Sequence, residues 1–472
     1  MIEQITIEKF ELTLVEIRAL SEKLHGAVYT PGDAEYEAAR LVWNADINRH
    51  PALIVRPADA TGVAAAVTFA RENELPLAVR GGGHSLPGYG ACDGGVLLDL
   101  SALKGIEVDP AARVARVQGG VLGRELGKAT LPHGLALPLG QVPATGVAGV
   151  LLGGGIGWLT RMYGLSCDHL LSAEVVTADG QIITASASEH PDLFWALRGG
   201  GGNFGIVTSM EVKLQPAGMI LGGMIIHPMT QAADFLRFYR DFAANAPDEL
   251  ATTLMFVSIP PIPVIPAHLH GQPAVMTGVC YAGDIEEGQK VLAPLRAFGT
   301  PLVDMIAPMP FGVLQGMGEA GGELGLRHDI RSGYLQELSD EAIDTIVDSV
   351  FEMPRPFSAT HIMHLGGAMS RVAPDATAFP ARDARFLYNI LPIWQDASQA
   401  DASRSWMNAF DDRLQPFTHG GVYVNFLGDE GPERVRAAYG PNYDWLATVK
   451  QQYDPTNLFH INYNIEPMLP GQ

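Results

Sequence analysis

The chain has 472 residues, of which 47% are hydrophobic and only 18% charged, and a net charge of −21. That length suits two or three domains with large cores, and the composition excludes extended disorder. The acidic balance argues against nucleic acid or an anionic membrane as partner. Three cysteines, Cys92, Cys167 and Cys280, stand far apart, so neither a disulfide framework nor a zinc cluster is expected. No basic-then-apolar leader opens the sequence, and no uncharged apolar run reaches about 18 residues. The cytoplasm is therefore the expected compartment.

Residues 1–45 read as a helical lead-in. From Pro57 the texture becomes α/β. "ADATGVAAAVTFARENEL" places Val63, Ala66, Val67 and Ala70 on one helical face, with Asp59 as N-cap. "PLAVR" (76–80), "GGVLLDL" (94–100) and "VARVQGG" (114–120) read as strands, and Leu122, Leu126 and Ala129 share a face of the next helix. "AEVVTADGQIITAS" (173–186) is a hairpin around Ala-Asp-Gly. "HPDLFWAL" is a short helix, and "GIVTSMEVKL" (205–214) a strand. Beyond 216 longer strands and helices alternate around a proline-stiffened loop, "IPPIPVIPAHLHG" (259–271). "MIAPMPFGVLQGMG" (305–318) reads as an apolar pocket wall or lid, because Met and Phe adapt to irregular ligands. The composition divides the chain at about 216 and 415, and the last segment, 416–472, reads as compact and loop-like.

Glycines concentrate at 81–83, 94–95, 119–120, 153–157 and 199–205, each run beside a strand. Glycine lets backbone approach a ligand closely, and successive free N–H groups make anion nests. The P-loop pattern GxxxxGK[ST] is absent. "GGGIGW" looks like a dinucleotide fingerprint, but no βαβ unit with an acidic residue about 20 positions on follows it. Several runs spread over more than a hundred residues suggest an extended cofactor threaded between two small sheets. "HIMH" (His361, His364) is the best-spaced histidine pair, and no third ligand stands near it, so no metal site is expected and one of the pair is read instead as lining a substrate pocket.

Four segments together, "AVRGGGHSLPGYGACDGGVLLDLS", "GQVPATGVAGVLLGGGIGWLTRMYGLSCDHLLSAEVVTADG", "DLFWALRGGGGNFGIVT" and "YDPTNLFHINYNI", resemble the berberine-bridge-enzyme-like branch of the vanillyl-alcohol-oxidase/p-cresol-methylhydroxylase (PCMH) flavoproteins. The resemblance implies an α+β chain. Its parts would be a PCMH-type FAD-binding domain of two subdomains (1–216, core about 45–216), a substrate domain with a helix-covered antiparallel sheet (217–415), and a C-terminal segment (416–472) returning to the first domain. It implies FAD bonded through its 8α-methyl to His84, at the end of a pyrophosphate loop formed by Arg80, Gly81, Gly82, Gly83, Ser85 and Leu86. Thr145, Gly146, Gly149, Gly153 and Gly157 would line the central loop. Gly205, Ile206 and Val207 would meet the adenine or ribose, and Asn462 and Asn464 the flavin ring. Relatives with a second link carry cysteine where this chain has Val142, so a single link is expected. Cys167 is read as a buried small residue.

Flavin chemistry implies hydride transfer from a small organic substrate to N5, with a base beside it. Tyr423, in a Tyr-x-Asn strand, is the first choice. Tyr163 and Tyr388 are further catalytic candidates, Tyr163, His364, Asn389 and Tyr423 candidate substrate contacts, and Arg161 or His364 candidate helpers that would lower a tyrosine pKa. Oxygen is the favoured acceptor, giving peroxide, although Leu151 and Leu152 could hinder it. A dehydrogenase with another acceptor, a flavin-fold protein that sequesters a drug-like molecule, and an NAD enzyme built on "GGGIG" remain open, as does the oligomeric state.

Overall fold

The computed structural model describes residues 4–7, 10–322 and 325–468. Three sheets carry the fold. In the first, Leu53–Pro57 and Leu77–Arg80 flank Val96–Asp99 in parallel, and Gly26–Tyr29 closes one edge antiparallel to Leu53–Pro57. Parallel strands need a crossover, which the helix Ala60–Glu72 supplies. Its first turn is capped by Asp59, whose carboxylate accepts the Gly62 N–H at 2.8 Å. Val63, Ala66, Val67 and Ala70 are fully buried on its inner face, as their spacing predicts. The stretch before this sheet is not a helical lead-in. One helix, Leu14–Lys23, is followed by the edge strand and the short helix Tyr36–Arg40, since Ala27-Val28-Tyr29 suits a sheet edge better than a helical stripe.

The second sheet is antiparallel, in the order Ile182–Ser186, Leu170–Val176, Ile206–Lys213, Val114–Gln118, Ile106–Asp109. Its core takes in the helix Pro191–Leu197 and two helices from the end of the chain, Pro432–Tyr439 and Tyr443–Tyr453. These two correct the reading of the last segment as loop-like. Val435, Ala438, Leu446, Ala447 and Val449 form their buried stripe, a 3.6-residue pattern diluted by the surrounding Gly, Pro and Asn.

The third sheet has eight antiparallel strands. Val303–Asp304, Met219–Pro228, Pro273–Tyr281, Leu250–Ser258, Ala359–His364, Phe386–Leu391 and Arg331–Leu335 lie in that order, and Ala307–Pro310 also pairs with Met219–Pro228. Ala232–Ala244, Asp340–Phe351 and Ala400–Leu414 cover one face, burying Leu254, Phe256, Ile362, Tyr388 and Ile390. Strand alternation sends their neighbours to the other face, which fronts the first two sheets. No residue of segment 305–318 lines the large cavity between the sheets. Phe311 and Leu314 pack into a small core with Leu159, Ile220 and Cys280, while Val313 and Met317 are exposed.

Candidate active site

Between the sheets lies a cavity of about 540 Å³, within the range of cofactor and substrate sites. One end is the loop that leaves Leu77–Arg80. Gly81, Gly82, Gly83, His84, Ser85 and Leu86 all line it. Against them lie Thr145, Gly146 and Gly149. A side chain on Gly82 would stand 2.2 Å from the Gly146 nitrogen, and one on Gly146 would stand 2.5 Å from the Gly82 nitrogen. The two loops therefore touch through bare backbone, and neither position admits a Cβ. Among the described residues, the N–H groups of Gly82, Gly83, His84 and Ser85 donate to no backbone oxygen. A row of free donors in a glycine turn is the anion nest that a pyrophosphate requires.

Arg80 lines the cavity too, at the base of that loop. Its guanidinium is held by Asp99 at 2.9 Å and by the carbonyls of Leu41 and Ala39, so it braces the loop. Gly205, Ile206 and Val207 line the cavity from the second sheet, and Asn462 lines it from the C-terminal stretch. The Asn462 amide donates to Phe459 O, while its Oδ1 is buried without a protein partner. That orphaned acceptor and the free glycine donors fit a large polar cofactor. Gly153, Gly157 and Asn464 are not lining residues. A side chain on Gly153 would collide with Asn425 and one on Gly157 with the Leu139 carbonyl, so these two glycines permit close packing behind the wall.

His84 stacks on Trp43, with centroids 5.0 Å apart, and Trp43 stacks on His328 at 4.0 Å. Asn44 ties this group together. Its amide nitrogen donates to Leu86 O and to His328 O, and its Oδ1 accepts the His328 N–H. Burial, aided by Arg124, pushes the His84 imidazole down to about 4. Burial, with His84 nearby, does the same to His328.

Tyr423 is 2% exposed and lines the cavity. It caps a turn, Val424–Phe426, and lies on no strand. Its hydroxyl oxygen accepts the Gly155 N–H and the Asn425 amide, both at 2.9 Å. Burial pushes its pKa up to about 12, against those two hydrogen bonds. The expected cationic helpers are absent from its side. Arg161 is buried among backbone carbonyls, donating to Leu250 O and Ala246 O, and lies beside His364 at 3.2 Å.

Tyr163 and Tyr388 do not line the cavity, whereas Tyr89 and Tyr463 do. Tyr163 donates to Pro216 O and packs in the small core of Leu159 and Phe311. Tyr388 is buried on the helix-covered face and donates to Asp411 at 2.8 Å. Its neighbour Asn389 does line the cavity, because successive strand residues face opposite ways. The same alternation corrects His364: on Ala359–His364 the cavity side holds Ala359, His361 and Met363. The "HIMH" pair faces opposite sides and cannot share an ion. His328, Trp43, Gln141 and Asn425 are lining residues that sequence reasoning did not place there, and of the "HIMH" pair, one of which was expected in the pocket, it is His361 that lines it. Only Asn425 had a local signal, two positions after Tyr423. Val142 lines the wall, as does Leu152, whereas Leu151 is fully buried. Cys167 is fully buried and its thiol pushed up by burial.

Burial holds His361 at about 4 and His364, with Arg161 beside it, at about 3. An unfolded histidine titrates near 6.5. Between these values the unfolded chain binds more protons than the folded one, so stability present above about 6.5 is lost as pH falls toward 4. Calorimetry of flavin-free protein is expected to show a falling Tm across that window. A flat Tm would refute it.

The family model described as "FAD binding domain" matches residues 51–186, and that described as "Berberine and berberine like" matches residues 422–466. The FAD-linked oxidoreductase YgaK of Bacillus subtilis is 33% identical over 94% of this chain and 98% of its own. The chain belongs to the berberine-bridge-like FAD-linked oxidoreductases. Its fold is that of this family's PCMH-type flavoproteins. The crystal structure of 6-hydroxy-D-nicotine oxidase from Arthrobacter nicotinovorans superposes with a TM-score of 0.86 at 30% identity, over 94% of this chain and 98% of that one. Glucooligosaccharide oxidase from Acremonium strictum, which carries 6-S-cysteinyl, 8α-N1-histidyl FAD, superposes with a TM-score of 0.86 at 26% identity, over 96% of this chain and 100% of that one. As a member of this family the chain is an FAD-linked oxidoreductase.

Proposed function

We propose that this oxidoreductase is an oxidase of a small organic molecule, with FAD bonded through its 8α-methyl to His84 alone. One observation carries the reading. A single cavity has a free-donor glycine nest and His84 at one end, and Tyr423, His361 and Asn389 along the rest of its wall. When bound there, FAD would accept a hydride at N5 from a substrate C–H and pass the electrons to oxygen, giving peroxide. The glycine loops would hold the pyrophosphate, and Gly205, Ile206 and Val207 the nucleotide end. Val142 presents no sulfur to the flavin, which leaves one bond. Oxidases among the relatives support oxygen as acceptor.

Tyr423 would act on the substrate heteroatom. Both lone pairs of its oxygen are engaged by fixed donors, which leaves its own proton free for the substrate heteroatom. At rest it is a protonated donor. The same two donors would support the phenolate if the proton leaves with substrate oxidation, which makes Tyr423 the base in this reading. Acid–base groups contribute about 10²–10⁴ in rate. Tyr423→Phe is therefore expected to slow flavin bleaching under argon by about 10² or more, at saturating substrate and with little change in binding. Equal bleaching in the variant would remove Tyr423 as base. Peroxide formed in step with substrate consumption would support the oxidase reading over a dehydrogenase.

A further inference from the structure

The cavity wall carries almost no full charge. Of its lining residues only Arg80 is permanently ionised, and Asp99 together with two carbonyls neutralises it at the cofactor end. No carboxylate and no lysine lines the cavity. On the face of the eight-stranded sheet, the lining residues are Ala359, His361, Met363, Asn389 and Leu391. Three of these five are apolar, and the two polar ones are direct neighbours across the strands, since His361 pairs with Asn389 in register. In a directly opposed pair the side chains stand about 5 Å apart on the same face.

Neither residue is satisfied by the protein. Asn389 is 2% exposed, and its Oδ1 is buried with no hydrogen-bond partner. Such an acceptor is destabilising unless a donor reaches it. In the same row, the buried Ser332 hydroxyl beyond Asn389 is also unpartnered. Burial leaves His361 as a neutral imidazole with one donor and one acceptor nitrogen.

We infer that His361 and Asn389 form the anchoring subsite for one neutral hydroxyl group on an otherwise apolar substrate, and so select against charged amines and against oligosaccharides. The inference rests on the proposed oxidase function and names the substrate class of that site. A hydroxyl can donate to Asn389 Oδ1 while accepting from the imidazole N–H, which completes both groups with one substrate atom. An ammonium would find no counter-ion here. A sugar chain would bring more hydroxyls to this sheet face than its two polar groups can partner, and each excess hydroxyl there would be buried unpaired. Met363 and Leu391, with Ile330 and Ile393 beside them in the cavity, supply the apolar surround.

The test uses flavin-loaded protein and three probes, 4-methylbenzyl alcohol, 4-methylbenzylamine at pH 7, and cellobiose. Binding is read as the perturbation of the flavin visible spectrum under argon. The alcohol is expected to bind at least about tenfold more tightly than either other probe. Asn389→Leu should abolish that margin. Asn389→Asp, which keeps the shape and adds a charge, should invert it in favour of the amine. Retained flavin absorbance shows that the variants have folded around the cofactor. Amine or cellobiose binding as tightly as the alcohol overturns the inference, as does no alcohol binding, or unchanged preference in both variants. Protein that carries no flavin would instead refute the proposed function, so the two failures are told apart before any probe is added.

Discussion

Precipitated with acid and washed, the wild-type protein is expected to retain its flavin, and His84→Ala to release all of it. Intact mass should exceed the chain mass by one FAD in the wild type and match the bare chain in the variant. His84 is singled out by position and by protonation. It follows directly on the glycine nest, stacked on Trp43 so that its ring has a fixed plane. A bond to carbon needs a free lone pair on nitrogen. Burial holds this imidazole at about 4, so it is neutral from about pH 5 upward, and flavin incorporation by apoprotein should not fall between pH 8 and about 5.5. No cysteine lines the cavity, so a digest should yield one flavin-bearing peptide, the one containing His84. A wild-type mass without the increment, or a flavin peptide from elsewhere, would sink the single-tether reading.

Local chemistry was legible and facing was not. The glycine loops, Asp59 as a cap and the hairpin at 173–186 were readable because each depends on neighbours a few residues apart. His84 and Tyr423 were readable because each sits inside a recognisable run. Asn389 and Tyr388 show the limit. Both lie on one buried strand, and every residue from Phe386 to Ile390 is buried, so no polar–apolar alternation announces which side meets the cavity. The helix Ala400–Leu414 decides it by supplying Asp411 to Tyr388. The same holds for His361 against His364, whose strand is buried on both faces except at His361. Trp43 and His328 were out of reach for another reason. They are 285 positions apart, and only the fold stacks them beside His84. Arg161 looked like a spare cation in "LTRMYG". It is engaged by carbonyls from a different domain-scale element, which no local pattern could reveal.

Lys450→Met is expected to be among the most damaging single substitutions outside the cavity. Lys450 lies on Tyr443–Tyr453 and is fully buried, as is Asp454. Its ammonium donates to Asp454 at 2.6 Å, to Phe459 O at 2.9 Å and to Asn203 O at 2.8 Å. All three of its protons are thereby used. Asp454 in turn accepts the N–H groups of Leu458 and Phe459, and Asn203 holds Tyr463 O and the Ile465 N–H. Gly201, Gly202, Phe459, Ile461, Asn462 and Tyr463 line the cavity around this knot. One buried ammonium therefore fastens the glycine turn to the C-terminal stretch that together wall the cavity. Removing it leaves Asp454 as an unpaired buried charge, which destabilises by about 3–5 kcal/mol, against a total of about 5–15 kcal/mol for a folded protein. If His84 tethers the flavin as proposed, the flavin should remain attached but become more fluorescent and more accessible to iodide. Burial lowers the Lys450 pKa despite the attraction of Asp454, so desolvation opposes the pair strongly. Replacing both partners, Lys450→Met with Asp454→Leu, should therefore recover part of the loss, the part due to the stranded charge. It should not restore the flavin's protection, because the backbone carbonyls of Asn203 and Phe459 would still lack their shared donor. A single variant within about 0.5 kcal/mol of wild type by denaturant unfolding, or a double variant no better than the single, would show that the knot is incidental.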